Sequence, residues 1–78
     1  MGQLQLSYDK QLSTIQIAEI ESSLKKYLKS INNLLNIDNK YEIIWLSSSN
    51  LTEFKVYDIP SKVGNLMINQ IESLAKKF

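Results

Sequence analysis

The spacing of hydrophobic positions changes along this chain, and each spacing predicts a different element. Residues 3–8 alternate strictly between polar and apolar side chains, which is typical of a half-buried strand. From Ile17 to Leu35 the apolar residues recur every three or four positions, as they do on one face of an amphipathic helix. Ser13 and Gln16 have the spacing of a capping box, so we expect this helix to begin directly after Ser13.

The second half of the chain predicts a hairpin followed by another helix. Residues 41–46 and 51–58 have the composition of strands, and a serine-rich loop joins them. Pro60 marks the expected start of the second helix. Its apolar stripe comprises Val63, Leu66, Met67, Ile71, Leu74 and Phe78. The element order is therefore β-α-β-β-α, and we expect residues 1–78 to form a single small α+β domain.

The connections between these elements restrict the topology. A strand-helix-strand unit takes a right-handed crossover, and the hairpin makes the second and third strands antiparallel neighbours. If the first strand pairs with the third, the three-stranded sheet has the order 1-3-2, which is the layout of a split βαβ unit. Both helices are then expected on one face of the sheet, and the other face stays open.

The length of the hairpin loop decides which side chains of the second strand face the helices. If Ile44 and Leu46 lie on the same side as Phe54, the loop must contain an odd number of residues. A three-residue loop ending at Asn50 in the left-handed conformation meets this condition. With that register, the candidate partner-binding residues on the open face are Tyr41, Ile43, Trp45, Glu53, Lys55 and Tyr57.

The composition excludes several kinds of chemistry. The chain has no cysteine, histidine or arginine. It therefore has no thiolate or imidazole group to act as a nucleophile, as a general base or as a ligand of zinc. We therefore expect no enzymatic activity, no cofactor and no metal site. The formal net charge is +1, and no long basic run indicates a nucleic-acid or membrane surface.

Large apolar side chains surrounded by polar ones are typical of a contact surface, so we expect a protein-protein interaction or adaptor module. Its partner is another protein or a second copy, bound through the open sheet face or the unpaired edge of the first strand. Two alternatives stay open. The aromatic residues could simply stabilise the sheet, or they could stack on single-stranded nucleic acid beside Lys55. The absent arginine and the small net charge argue against nucleic acid.

No apolar segment approaches the roughly 18 residues that span a membrane, and the first residues lack the pattern of a signal peptide. We therefore expect no membrane partner and a cytoplasmic location.

Overall fold

The computed structural model describes residues 2–77 and contains the five predicted elements. They are β1 (Gly2–Tyr8), α1 (Thr14–Leu35), β2 (Glu42–Ser48), β3 (Leu51–Ile59) and α2 (Asn65–Ala75). The sheet is antiparallel throughout, with the order β1-β3-β2. The predicted α+β class and the strand order 1-3-2 are confirmed.

Both ends of α1 carry specific caps. The Ser13 hydroxyl accepts a hydrogen bond from the Gln16 N–H at 3.1 Å, and the Gln16 side chain accepts one from the Ser13 N–H at 2.9 Å. This is the predicted capping box. At the other end Asn36 adopts a left-handed conformation with φ 54°, and the Ile37 N–H donates to the Asn32 carbonyl at 2.9 Å. This backbone bond ends the helix in the manner of a Schellman motif.

The two helices cover one face of the sheet. The Tyr8 hydroxyl donates to the Ala75 carbonyl at 2.8 Å, which places the end of α2 over β1. The Trp45 indole N–H donates to the Glu21 carboxylate at 3.3 Å, which places α1 over β2. The hydrophobic core between these layers comprises Leu12, Ile20, Leu24, Leu28, Ile31, Phe54, Val56, Ile59, Val63, Ile71 and Ala75.

One buried polar side chain ties the loop before α1 to the sheet. Thr52 on β3 is fully buried. Its hydroxyl oxygen accepts from the Leu12 N–H at 2.9 Å and donates to the Lys10 carbonyl at 3.0 Å. Because both loop groups and the threonine are satisfied, this burial avoids the cost of an unpaired polar atom.

The predicted start of the second helix at Pro60 is wrong. Residues 60–63 form a turn in which the Val63 N–H donates to the Pro60 carbonyl at 3.0 Å, and the helix begins only after Gly64, whose backbone is extended. Leu66 of the predicted apolar stripe is 86% exposed, whereas Ile71 and Ala75 are buried. Phe78, the last residue of the predicted stripe, lies outside the described residues.

A bulge near the end of β3 places its last residue, Ile59, on the buried side of the sheet. The register with β1 shifts between Gly2 and Leu4, and Asp58 on β3 adopts a left-handed conformation with φ 62°. Such a bulge adds one residue to a strand and changes its alternation. Asp58 is exposed as a result, whereas Ile59 is buried.

Candidate interaction surface

The two helices leave the other side of the sheet uncovered. We define the open sheet face as Gln3, Gln5 and Ser7 of β1, Glu42, Ile44 and Leu46 of β2, and Glu53, Lys55 and Tyr57 of β3. Because side chains alternate along a strand, residues two apart share this face. Three residues of the predicted partner-binding set, Glu53, Lys55 and Tyr57, lie on the open sheet face.

The other three predicted residues lie on the opposite side. Tyr41, Ile43 and Trp45 are half-buried and pack against the hydrophobic core. Their assignment to the open sheet face is wrong. Ile43 pairs with Val56 and Trp45 pairs with Phe54, and both of those β3 residues face the helices.

A difference of one residue in the turn explains the error. Ser48 pairs with Leu51, so the turn contains only the two residues 49 and 50. Asn50 is not in the left-handed conformation that the three-residue loop required, since the non-glycine residues with positive φ in the described part of the chain are Asn36 and Asp58. A slip of one residue moves every side chain of a strand to the other face.

The observed register buries the aromatic side chain of β2. The Trp45 and Phe54 ring centroids are 4.9 Å apart, at an interplanar angle of 31°. The Tyr41 hydroxyl donates to the Asn32 side-chain oxygen of α1 at 3.0 Å, and burial raises the pKa of this hydroxyl. These residues therefore contribute to the packing of α1 on the sheet.

Ile44 and Leu46, which were expected to face the helices, form the apolar part of the open sheet face. Ile44 is 48% exposed and Leu46 is 60% exposed. Ile44 pairs with Lys55, and Leu46 pairs with Glu53. The signal that could have identified them is the alternative of an even-numbered hairpin turn, which exchanges the two sides of β2.

The polar residues of the open sheet face carry charges of both signs. Lys55 and Glu53 lie two residues apart on the central strand. The Gln5 side-chain amide donates to the Glu53 carboxylate at 2.9 Å and holds it in place. The face therefore presents one acidic and one basic side chain on β3, and Glu42 of β2 as a second acidic residue, beside its apolar residues.

Comparison with models of protein families, with curated proteins and with solved structures finds no match to this chain. Within residues 2–77, no helix is both long enough and apolar enough to cross a membrane. The same residues contain no group of three or more acidic side chains placed to hold a metal ion.

Proposed function

We propose that this protein is a non-enzymatic interaction module that associates with a second copy of itself through the open sheet face. The observation that supports the proposal is the exposure of Ile44 and Leu46 side by side on one strand. Burying apolar surface contributes about 25 cal/mol per Å², so two adjacent aliphatic side chains favour a partner of matching shape.

The charges on the open sheet face favour a second copy as that partner. In a two-fold symmetric contact, if residue i of one copy meets residue j of the other, residue j of the first copy also meets residue i of the second. Glu53 and Lys55 can satisfy this requirement, because Lys55 of each copy can lie opposite Glu53 of its neighbour. A face that carries both signs in neighbouring positions is thus complementary to itself.

The size of the sheet sets the expected affinity. Three strands at about 4.8 Å spacing and seven residues at about 3.3 Å rise give a face of roughly 14 by 23 Å. Two such faces together cover roughly 640 Å², which is below the about 1,200 Å² of a standard specific interface, a size at which association is weak and transient. We therefore expect dimers at micromolar concentrations.

The nucleic-acid alternative has less support with the observed register. Tyr57 is the remaining aromatic residue of the open sheet face, because Tyr41 and Trp45 lie on the helix-covered side. Base stacking on a sheet commonly uses two or three aromatic side chains. Lys55 is paired in the sheet with aliphatic Ile44 and polar Gln5, which do not add positive charge.

Sedimentation velocity tests the proposal. The wild-type protein, with a protomer mass of 9.0 kDa, is expected to shift from monomer to dimer between about 5 and 500 µM. Leu46→Lys should abolish the shift. Leu66→Lys is the matched control, because Leu66 is also an exposed leucine but lies on α2. Wild-type protein that remains monomeric at the highest concentration would refute the proposal.

A charge exchange tests the geometry of the contact. Lys55→Glu makes the charged pair on β3 acidic and Glu53→Lys makes it basic, so each variant alone should dimerise less than wild type. An equimolar mixture should recover dimers, because the acidic pair of one variant then meets the basic pair of the other. If the mixture behaves like the two separate variants, the predicted pairing of Lys55 with Glu53 is incorrect. If both variants dimerise normally but Leu46→Lys does not, only the apolar residues matter.

A further inference from the structure

A cleft separates α1 from the outer edge of β2, on the side of the sheet opposite to the open sheet face. Its volume is about 430 Å³, within the range of ligand-binding clefts. The helix contributes Glu21, Lys25, Leu28, Lys29 and Asn32, and the loop and strand contribute Asn39, Tyr41, Glu42 and Ile43. The cleft therefore combines an apolar base, two lysines, two glutamates and the edge of a strand.

Hydrogen bonds hold both ends of this cleft. At one end the Asn32 side chain accepts from the Tyr41 hydroxyl at 3.0 Å and donates to the Asn39 carbonyl at 2.8 Å. At the other end the Glu21 carboxylate accepts from the Trp45 indole at 3.3 Å and lies 3.9 Å from the Lys25 ammonium. These contacts fix the width of the cleft before any partner binds, which lowers the entropy cost of binding.

The two lysines that line the cleft differ in their ion pairing. Lys25 forms its ion pair with Glu21, whereas Lys29, one helical turn further along, has no ion-pair partner within residues 2–77. Leu28 is buried and Ile43 is half-buried at the base of the cleft. The arrangement suits an apolar side chain at the base and a carboxylate at the rim beside Lys29.

The wall formed by β2 offers backbone hydrogen bonds. β2 is an edge strand, with β3 on one side and no strand on the other within the described residues. In an antiparallel ladder every second residue of such a strand directs its N–H and C=O groups outward. An added strand can use these groups, and its alternate side chains would then point towards α1.

We propose that this cleft binds an extended peptide segment of a partner protein as a fourth strand on the edge of β2. The peptide carries an aliphatic residue that contacts Leu28 and Ile43 and an acidic residue that pairs with Lys29. Peptide backbone hydrogen bonds supply affinity, and these two side-chain contacts supply selectivity. The cleft shares only Glu42 with the open sheet face and does not include Ile44 or Leu46, so this inference does not depend on self-association.

An immobilised array of random heptapeptides tests the proposal. Both the wild-type protein and the Leu46→Lys variant are applied to it, so that dimerisation does not interfere. We expect bound peptides to share an acidic residue next to an alternating aliphatic pattern. Lys29→Glu should weaken binding of these peptides at least tenfold and should change the preference at the acidic position to lysine or arginine. Lys26→Glu is the matched control, because Lys26 lies on the same helix but does not line this cleft.

N-methylation of the best array peptide tests strand addition directly. Methyl groups on one set of alternate backbone nitrogens should abolish binding, and methyl groups on the other set should be tolerated, since a paired strand directs only every second N–H to its neighbour. Amide resonances of β2 and of the α1 residues lining the cleft should shift on titration with the unmodified peptide.

Three outcomes would overturn the proposal. The first is an array without binding above background, and the second is an unchanged sequence preference in Lys29→Glu. The third is a shift of the same β2 amides with protein concentration alone, because the cleft edge would then be occupied by a second copy of this chain. Dimerisation through the open sheet face can fail without affecting any of these measurements.

Discussion

Replacing Trp45 separates a role in the core from a role on an outer surface. A tryptophan that buries about 150 Å² gains roughly 4 kcal/mol at about 25 cal/mol per Å². Trp45 keeps some exposure, and alanine recovers part of the buried area. We therefore expect Trp45→Ala to lower the free energy of unfolding by about 2–3 kcal/mol. Trp45→Phe keeps contact with Phe54 and loses the hydrogen bond to Glu21, so it should cost about 1 kcal/mol.

Urea unfolding followed by far-ultraviolet circular dichroism measures both changes. At an m-value of about 1 kcal/mol per M, the midpoint of Trp45→Ala should fall by about 2–3 M. Leu46→Ala is the matched control on the same strand, and its 60% exposure predicts a change below about 1 kcal/mol. Measurements below about 5 µM, the lower end of the expected transition from monomer to dimer, keep the protein monomeric. An alanine variant with a wild-type midpoint but weakened association would show that Trp45 lies on the contact surface and that the observed register is wrong.

Other contacts give further predictions. Ser13→Ala should lower the free energy of unfolding by about 1 kcal/mol through loss of the helix cap, and an unchanged urea midpoint would contradict this cap. Thr52→Val should cost about 1–3 kcal/mol because it removes the acceptor of the buried Leu12 N–H, whereas Thr52→Ser keeps a hydroxyl and should cost less. Burial raises the pKa of the Tyr8 hydroxyl, so the folded state retains this proton more tightly than the unfolded state, and stability should fall as the pH rises above about 10. Tyr8→Phe should reduce that fall in urea midpoints measured between about pH 9 and 11; an unchanged pH dependence would exclude this contribution.

The predictions from sequence were accurate where the local pattern allowed one solution. The stripe of α1 buries Ile20, Leu24, Leu28 and Ile31 as its spacing requires. The capping box at Ser13 begins the helix as predicted, because its two hydrogen bonds depend only on residues three apart. The predicted strand order depended on the first strand pairing with the third, and the structure shows this pairing.

The start of α2 was not predictable from the same signals. Pro60 is acceptable at the first position of a helix, but it is equally acceptable in a turn. The extended backbone at Gly64 decides between them, and glycine itself permits either conformation. Leu66, which the predicted stripe placed in the core, is exposed on the observed 11-residue helix.

The faces of β2 were ambiguous for a different reason. Apolar side chains occupy both sides of this segment, with Tyr41, Ile43 and Trp45 on one side and Ile44 and Leu46 on the other. Period-two alternation therefore fits either register, and the turn length decides the outcome through tertiary packing. Burying the larger aromatic group is favoured because it removes more apolar area from water than burying the two aliphatic side chains.

Whichever register β2 adopts, apolar side chains of this strand lie on the open sheet face. A strand with apolar residues on both sides can direct only one set towards α1. Because this domain has one layer of helices and one sheet, the other set must lie on the open sheet face. An incorrect register predicted Trp45 there, and the observed register leaves Ile44 and Leu46. The identity of the exposed residues changes, but an apolar group beside Glu53 and Lys55 is present in both cases. The hypothesis of a contact surface therefore rests on a property of the β2 sequence, and Leu46→Lys is the substitution that tests it with the least effect on the core.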